Sequence, residues 1–280
     1  MSFTSNYLMC AGRELHYTEW GAGNAESVIA WHGLALTGRD MDHIAAHLAS
    51  RYRVICPDTI GRGLSQWSPQ PETEYCLAFY AQLAESLAEQ LGLEQFHWLG
   101  TSMGGALGML LAGGALRGRI RRLVLNDIGP RLGDAALARI RAYAGKPPAF
   151  ERLSELESYF RTIYKPYGWL SEDHWRLLTE TSMRRTADGR VTPHYDPRMV
   201  MQFELHPNDY ELWDAYDRIT APTLCLRGES SDLLLPETAE EMRQRGPNAV
   251  VVTIAGCGHA PALNVPAQFD LVRRFLDGTT

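Results

Sequence analysis

The chain has 280 residues, 45% of them hydrophobic, and its 27 basic and 33 acidic side chains give a formal net charge of -6. A chain of this size and composition can bury a large core, as one big α/β domain or two ordinary ones, and extended disorder is excluded. No block of Lys or Arg interrupts it, which argues against nucleic acid and anionic membrane surfaces as partners.

The opening residues, MSFTSNYLMCAGRELHYTEWG, lack the basic and apolar regions of a signal peptide, and no later run approaches the ~18 apolar residues of a membrane span. A soluble, cytoplasmic protein is expected. Cys10, Cys56, Cys76, Cys225 and Cys257 are odd in number and scattered, with no C-x-x-C pair. Neither a disulfide framework nor a metal site is expected from them.

Along the chain, residues 7–20 with Gly12 between two short runs predict an opening hairpin. Ser27–Trp31 is a short apolar run that stops at His32-Gly33, as a buried strand does. Asp40 to Ala49 carries Ile44, Ala45 and Leu48 at helical spacing, and Tyr52–Cys56 then reads as a strand ending at Pro57-Asp58. Leu77, Tyr80, Ala84, Leu87 and Leu91 repeat at 3, 4, 3 and 4, with Gly92 placed as a helix C′ glycine. Gln95–Leu99 and Ile120–Leu125 are further strands; so are Pro222–Arg227 and Ala249–Ile254, before a last helix opened by Pro266. Apolar strands alternating with helices predict an α/β protein with a mainly parallel, doubly wound sheet covered on both faces.

Between Pro130 and Tyr216 helical segments follow one another with no strand of comparable strength, so residues 131–216 read as an inserted helical subdomain. It holds 12 of the 27 aromatic residues, counted over 131–215. They either form the core of a small helical layer or line an apolar pocket, for which Tyr159, Trp169 and Trp213 are candidates, with Phe160, Tyr164 and Trp175 behind them.

The stretch Gly100-Thr101-Ser102-Met103-Gly104 joins a strand to a helix. Composition alone gives roughly 0.1 chance matches to G-x-S-x-G, so the motif needs partners. A serine there is either a helix N-cap or a nucleophile, and a nucleophilic hydroxyl requires a base, usually histidine, held in one tautomer by a buried carboxylate. Of nine histidines, His16, His43, His47, His97, His174, His194 and His206 fall in the hairpin, helices, a strand or the insertion. His32 and His259 remain at strand ends, and His259, in the glycine-containing loop after the last strand, is the expected base. For the acid, Gly228-Glu229-Ser230-Ser231-Asp232 follows a strand and makes Asp232 the choice, with Glu229 a minor rival. Asp127, at the end of the preceding strand, is the serious alternative.

These elements together resemble the α/β-hydrolase family over nearly the whole chain: the order Ser102, Asp232, His259; the elbow at Ser102; the His32-Gly33-Leu34 turn; and Pro57-Asp58-Thr59-Ile60-Gly61-Arg62-Gly63-Leu64-Ser65. The resemblance implies a core of residues 1–130 and 217–280, with 131–216 as a helical cap between strands six and seven. It implies an oxyanion hole from the N–H groups of Leu34 and Met103, and a structural role for His32. Ser102 argues against the family's dehalogenase and epoxide hydrolase members, whose nucleophile is Asp. The implied activity is cofactor-free hydrolysis of a small-molecule carboxylic ester through an acyl-enzyme, with a lactone, a C–C bond or a hydroxy-acid oligomer as alternative substrates and a non-catalytic receptor as a further alternative. Oligomeric state is left open.

Overall fold

The structure is a computed structural model and describes residues 2–279. Phe3–Cys10 (β1) and Arg13–Trp20 (β2) form an antiparallel hairpin whose turn residues Ala11 and Gly12 have φ of 45° and 78°. Positive φ at both positions is what a type I′ turn requires, because its twist then matches that of the strands. Ser27–Trp31 (β3) leads through a short 3-10 turn, Gly38–Met41, into Asp42–Leu48 (α1) and then Arg53–Pro57 (β4). Pro71–Glu74 (α2) precedes Leu77–Gln90 (α3), which ends at Gly92 with φ 66°; the N–H groups of Gly92 and Leu93 close back onto the carbonyls of Glu89 and Ala88 at 3.0 and 2.9 Å. This is the Schellman geometry that the C′ glycine implies. Phe96–Thr101 (β5), Met103–Ala112 (α4) and Ile120–Asn126 (β6) follow.

The insertion holds Asp134–Ala144 (α5), Leu153–Ile163 (α6), Glu172–Thr181 (α7), a small hairpin of Met183–Arg185 (β7) and Val191–Pro193 (β8), then Gln202–Leu205 (α8) and Trp213–Asp217 (α9). The hairpin differs from the all-helical expectation, since strands of three residues are too short to show a period of two. Thr223–Gly228 (β9), Pro236–Gln244 (α10), Val250–Ile254 (β10) and Pro266–Asp277 (α11) complete the chain.

The main sheet has eight strands in the order β1-β2-β4-β3-β5-β6-β9-β10, parallel from β4 to β10 and antiparallel at the β1-β2-β4 edge. Every residue of β3, β5 and β9 is buried, and their side chains alternate between two cores. Ile29, Trp31 and Trp98 face the side packed by α3 and α4; Val28, Ala30 and Leu99 face the side packed by α1 and α11. Alternation with no polar face is the pattern of a sheet covered twice.

The chain steps outward from β3 to β4 and then crosses back to β5 on the other side of β3. Strand order therefore reverses between β3 and β5, and the loops at their carboxyl ends leave a crevice there. His32-Gly33 ends one strand and Ser102 the other, with Trp31 in register with Gly100. The insertion carries its own apolar cluster of Leu156, Phe160, Tyr164, Trp175, Leu178 and Val191, which takes in Leu36 from the loop after β3. The Gly258 N–H donates to the Pro166 carbonyl at 2.6 Å, tying the insertion to the His259 loop.

Candidate active site

Ser102 lies between β5 and α4 with φ 51° and ψ -116°, a backbone region that non-glycine residues seldom occupy. Ser102 is the N-cap of α4 by position, its carbonyl accepting from the Ala106 N–H at 3.0 Å, but its side chain makes no capping bond and is left free for His259. The elbow is tight because of its flanking glycines: a Cβ on Gly100 would stand 2.2 Å from the Gly104 carbonyl oxygen, and one on Gly104 would stand 2.3 Å from that of Trp31. The turn presents the Ser102 hydroxyl to His259, whose Nε2 is 2.9 Å from Oγ. His259 Nδ1 is in turn 2.7 Å from Oδ2 of Asp127.

The carboxylate at the histidine is thus Asp127, which corrects the choice of Asp232. Asp127 sits just past β6 with φ 55°, fully buried. Its Oδ1 accepts from the Gly228 N–H at 2.7 Å, and its Oδ2 accepts from the Ser231 hydroxyl at 2.6 Å as well as from His259. Asp232 fails for a conformational reason. The turn after β9 puts Gly228 against Gly258, where a Cβ would lie 2.0 Å from the Gly258 carbonyl, and turns Ser231 inward. Asp232, one residue later, faces outward to Arg139 and forms a two-bond pair at 2.9 and 2.9 Å. Glu229 is also turned away, accepting from the Gly256 N–H. A signal for Asp127 was present in the strand order: Thr101 and Asn126 are paired neighbours, and the Ser102 N–H bonds the Asn126 carbonyl at 2.9 Å. The acid therefore leaves the strand adjacent to the nucleophile's own.

His32 is fully buried and takes no part in this chain of bonds. Its Nε2 accepts from the Thr59 N–H at 2.9 Å, so Nδ1 carries the proton and donates to the Gly33 carbonyl at 2.6 Å. Burial, which disfavours the imidazolium, pushes its pKa down to about 4, with Asp58 and the Gly33 hydrogen bond opposing. It is a neutral strut between the two loops.

Met103 opens α4, where first-turn N–H groups have no acceptor within the helix. Gly33 lies against Ser102, since a Cβ there would stand 3.7 Å from that of the serine, and this sets the following Leu34 beside the nucleophile. Both loops are braced from below by Arg62, a fully buried guanidinium that sequence reasoning left unremarked within its structural segment. Arg62 donates to the carbonyls of Leu34 and Ile60 at 3.0 and 2.8 Å and to the Tyr80 hydroxyl at 2.9 Å, and reaches Met103 Sδ at 3.7 Å.

The room beside Ser102 is about 30 Å³, space for a water molecule, enclosed by Gly33, Leu34, Leu36, Ile140, Ile163 and Tyr164 among others. It adjoins an open cleft of about 880 Å³, and Arg139, Ile163 and His259 belong to both walls. Among the three aromatic pocket candidates the expectation is corrected throughout. Trp169 is 69% exposed and edge-on to His174, Tyr159 packs against Phe150 and Phe160, and Trp213 lies against Tyr216 and under Arg245. Tyr164 is the one candidate of the wider set in the Ser102 wall, joined by Tyr167. Helical spacing shows which face of a segment is apolar but not what that face meets.

The chain belongs to the alpha/beta hydrolase fold family, whose pattern matches residues 26–264. It is similar to a 3-hydroxybutyrate-oligomer hydrolase of Cupriavidus necator, 38% identical over 272 residues that cover 94% of this chain and 92% of the other. A 2-(acetamidomethylene)succinate hydrolase of Mesorhizobium japonicum is 26% identical over 239 residues, covering 85% and 82%. Among solved structures, an alpha/beta hydrolase from Novosphingobium aromaticivorans superposes with a TM-score of 0.88 at 33% identity, covering 98% of each chain. Hydrolase chemistry on this fold is common to these relatives. Among the described residues no helix is long and apolar enough to cross a membrane.

Proposed function

We propose that the protein hydrolyses carboxylic esters through an acyl-Ser102 intermediate, with short oligoesters of hydroxy acids as its substrate class. The observation that carries the reading is the continuous hydrogen-bonded chain from Ser102 through His259 to buried Asp127. The substrate class draws on the 38% identical relative named for 3-hydroxybutyrate oligomers, whose backbone bonds are themselves esters. Residues 131–216 act in this reading as a cap over the site.

In the first half-reaction Ser102 Oγ attacks the acyl carbon as its proton passes to His259 Nε2. Asp127 accepts a hydrogen bond from Nδ1–H, which leaves the Nε2 lone pair facing the serine, and its carboxylate stabilises the imidazolium once it forms. The carbonyl oxygen becomes an oxyanion and accepts from the N–H groups of Leu34 and Met103; one such donor is typically worth ~3 kcal/mol in the transition state. Arg62, holding the Leu34 carbonyl and lying at the Met103 sulfur, braces the two residues that carry these donors. The tetrahedral species collapses when the ester C–O bond breaks and Nε2–H protonates the departing alkoxide. Water then attacks the acyl carbon with His259 as base, and Ser102 is released with its proton restored.

Covalent labelling by a fluorophosphonate, lost in Ser102→Ala, together with steady-state turnover of 4-nitrophenyl butyrate and of the 3-hydroxybutyrate dimer, is the expected result. A wild-type protein that is neither labelled nor active on any ester would overturn the reading. A kcat/KM for lactones or vinylogous diketones exceeding that for esters would move it to those bonds instead.

A further inference from the structure

We infer that Arg139, with Lys165 on the wall of the same cleft, is a subsite for a carboxylate on the substrate, so that the preferred esters end in a free acid. The inference rests on the ester-hydrolase reading and adds to it the charge of the molecule bound. Arg139 projects from α5 into the wall of the small room that holds Ser102 and His259, and also lines the open cleft that adjoins it. Apart from it, the wall nearest Ser102 is mainly Leu34, Ala35, Leu36, Ile140, Ile163 and the two tyrosines. A single guanidinium in such a wall is the kind of placed polar group that fixes the orientation of a ligand.

The present partner of Arg139 indicates which ligand that is. Asp232 meets the guanidinium in the two-bond fork, Nε to Oδ2 and Nη2 to Oδ1, both at 2.9 Å. This planar, paired arrangement is matched by a carboxylate and poorly by a neutral ester or hydroxyl. The two side chains are 41% and 47% exposed, so their pairing is of the kind that contributes little to stability. An incoming carboxylate can therefore take the place of Asp232 at small cost. Lys165, also on the cleft wall, forms no ion pair among the described residues. The mouth thus presents two cations against one anion on a chain whose net charge is -6, which favours approach of acidic substrates through that opening. In this arrangement Asp232 is a stand-in for the substrate's acid group, where sequence spacing had made it the partner of His259.

The test uses the full-length protein at pH 7.5 with two matched pairs: 3-hydroxybutyrate dimer against its methyl ester, and monoethyl succinate against diethyl succinate. The readout is the ratio of kcat/KM for the acid to that for its neutral partner. Arg139→Gln is expected to lower the ratio at least tenfold, and Asp232→Asn to raise it threefold or more, through KM, because the competing carboxylate is gone. The double variant should match Arg139→Gln. A ratio that stays within twofold in Arg139→Gln, or that moves the same way in both single variants, overturns the inference. If the wild type ignores both hydroxybutyrate compounds but the succinate ratio shifts as stated, the oligoester reading fails and the carboxylate subsite stands. If no ester is turned over and Ser102 is not labelled, both fall together.

Discussion

Replacing Asp127 by asparagine separates the observed geometry from the spacing-based expectation of Asp232. The substituted amide would keep the shape of the buried acid, and its hydrogen bonds decide the outcome. The Gly228 N–H is a fixed donor 2.7 Å from Oδ1, so the amide oxygen must stay there and the NH₂ must turn toward His259 and Ser231. The Ser231 hydroxyl can rotate to accept. His259 can accept on Nδ1 only by moving its proton to Nε2, and that nitrogen then points a proton at Ser102 where a lone pair is required. Holding the wrong tautomer costs about 10⁴-fold in kcat, or roughly 5 kcal/mol of transition-state stabilisation. Asp232→Asn leaves the tautomer intact, since its carboxylate touches Arg139 and not His259. Initial rates on 4-nitrophenyl butyrate should therefore show kcat reduced about 10⁴-fold in Asp127→Asn and by no more than about tenfold in Asp232→Asn. Equal losses in the two variants, or more than a tenth of wild-type kcat in Asp127→Asn, would refute the reasoning.

Two further outcomes follow from buried groups away from the reaction. His32, His43 and His97 are each pushed down to about 4, chiefly by burial, so at these three sites the unfolded chain binds more protons than the folded one between about pH 4 and 6.5, opposed in part by Asp40, which burial pushes up to about 7. The histidines' contribution is complete above pH 6.5 and is lost as pH falls toward 4, and Tm should decline over that window. His97, with Nδ1 unpartnered and its ring edge-on to Tyr52, isolates one share of the effect. His97→Phe should raise Tm more at pH 5 than at pH 8, and an equal change at both would exclude proton linkage at this residue. At the elbow, Gly104→Ala gains about 1 kcal/mol of helix propensity but drives a methyl to 2.3 Å from the Trp31 carbonyl and 2.8 Å from that of His32. Both obstacles are backbone, so an overpacking cost of about 3 kcal/mol outweighs the gain: a net loss of about 2 kcal/mol, or a fall in Tm of roughly 4–8 °C, is expected by calorimetry. A variant as stable as wild type would show that the elbow can relax.

The elements whose signals are local were legible in the amino-acid order. Apolar runs of five to seven residues, the 3-4-3-4 spacing through Leu77–Leu91 and the glycine after it each state a backbone conformation through near neighbours, and α3 and the strands of the main sheet stand within a residue or two of their expected bounds, except β1, which begins at Phe3, four residues before the expected hairpin. The same holds for the elbow at Ser102, where glycines are required on both sides by contacts within five residues or with the adjoining strand. His259 was reached because it is one of only two histidines in strand-end loops. Which acid it meets was not a local matter. Asp127 and Asp232 both follow strands and both are aspartates; the difference lies in β6 being hydrogen-bonded to β5, and in a turn at Gly228 that directs Ser231 inward and Asp232 outward. The pocket wall was hidden for the same reason. Arg139, Ile140, Ile163 and Tyr164 come from α5 and from the end of α6, in a stretch that sequence shows only as a run of helical segments, and their docking on the loops after β3 and β10 determines which of those side chains look onto Ser102.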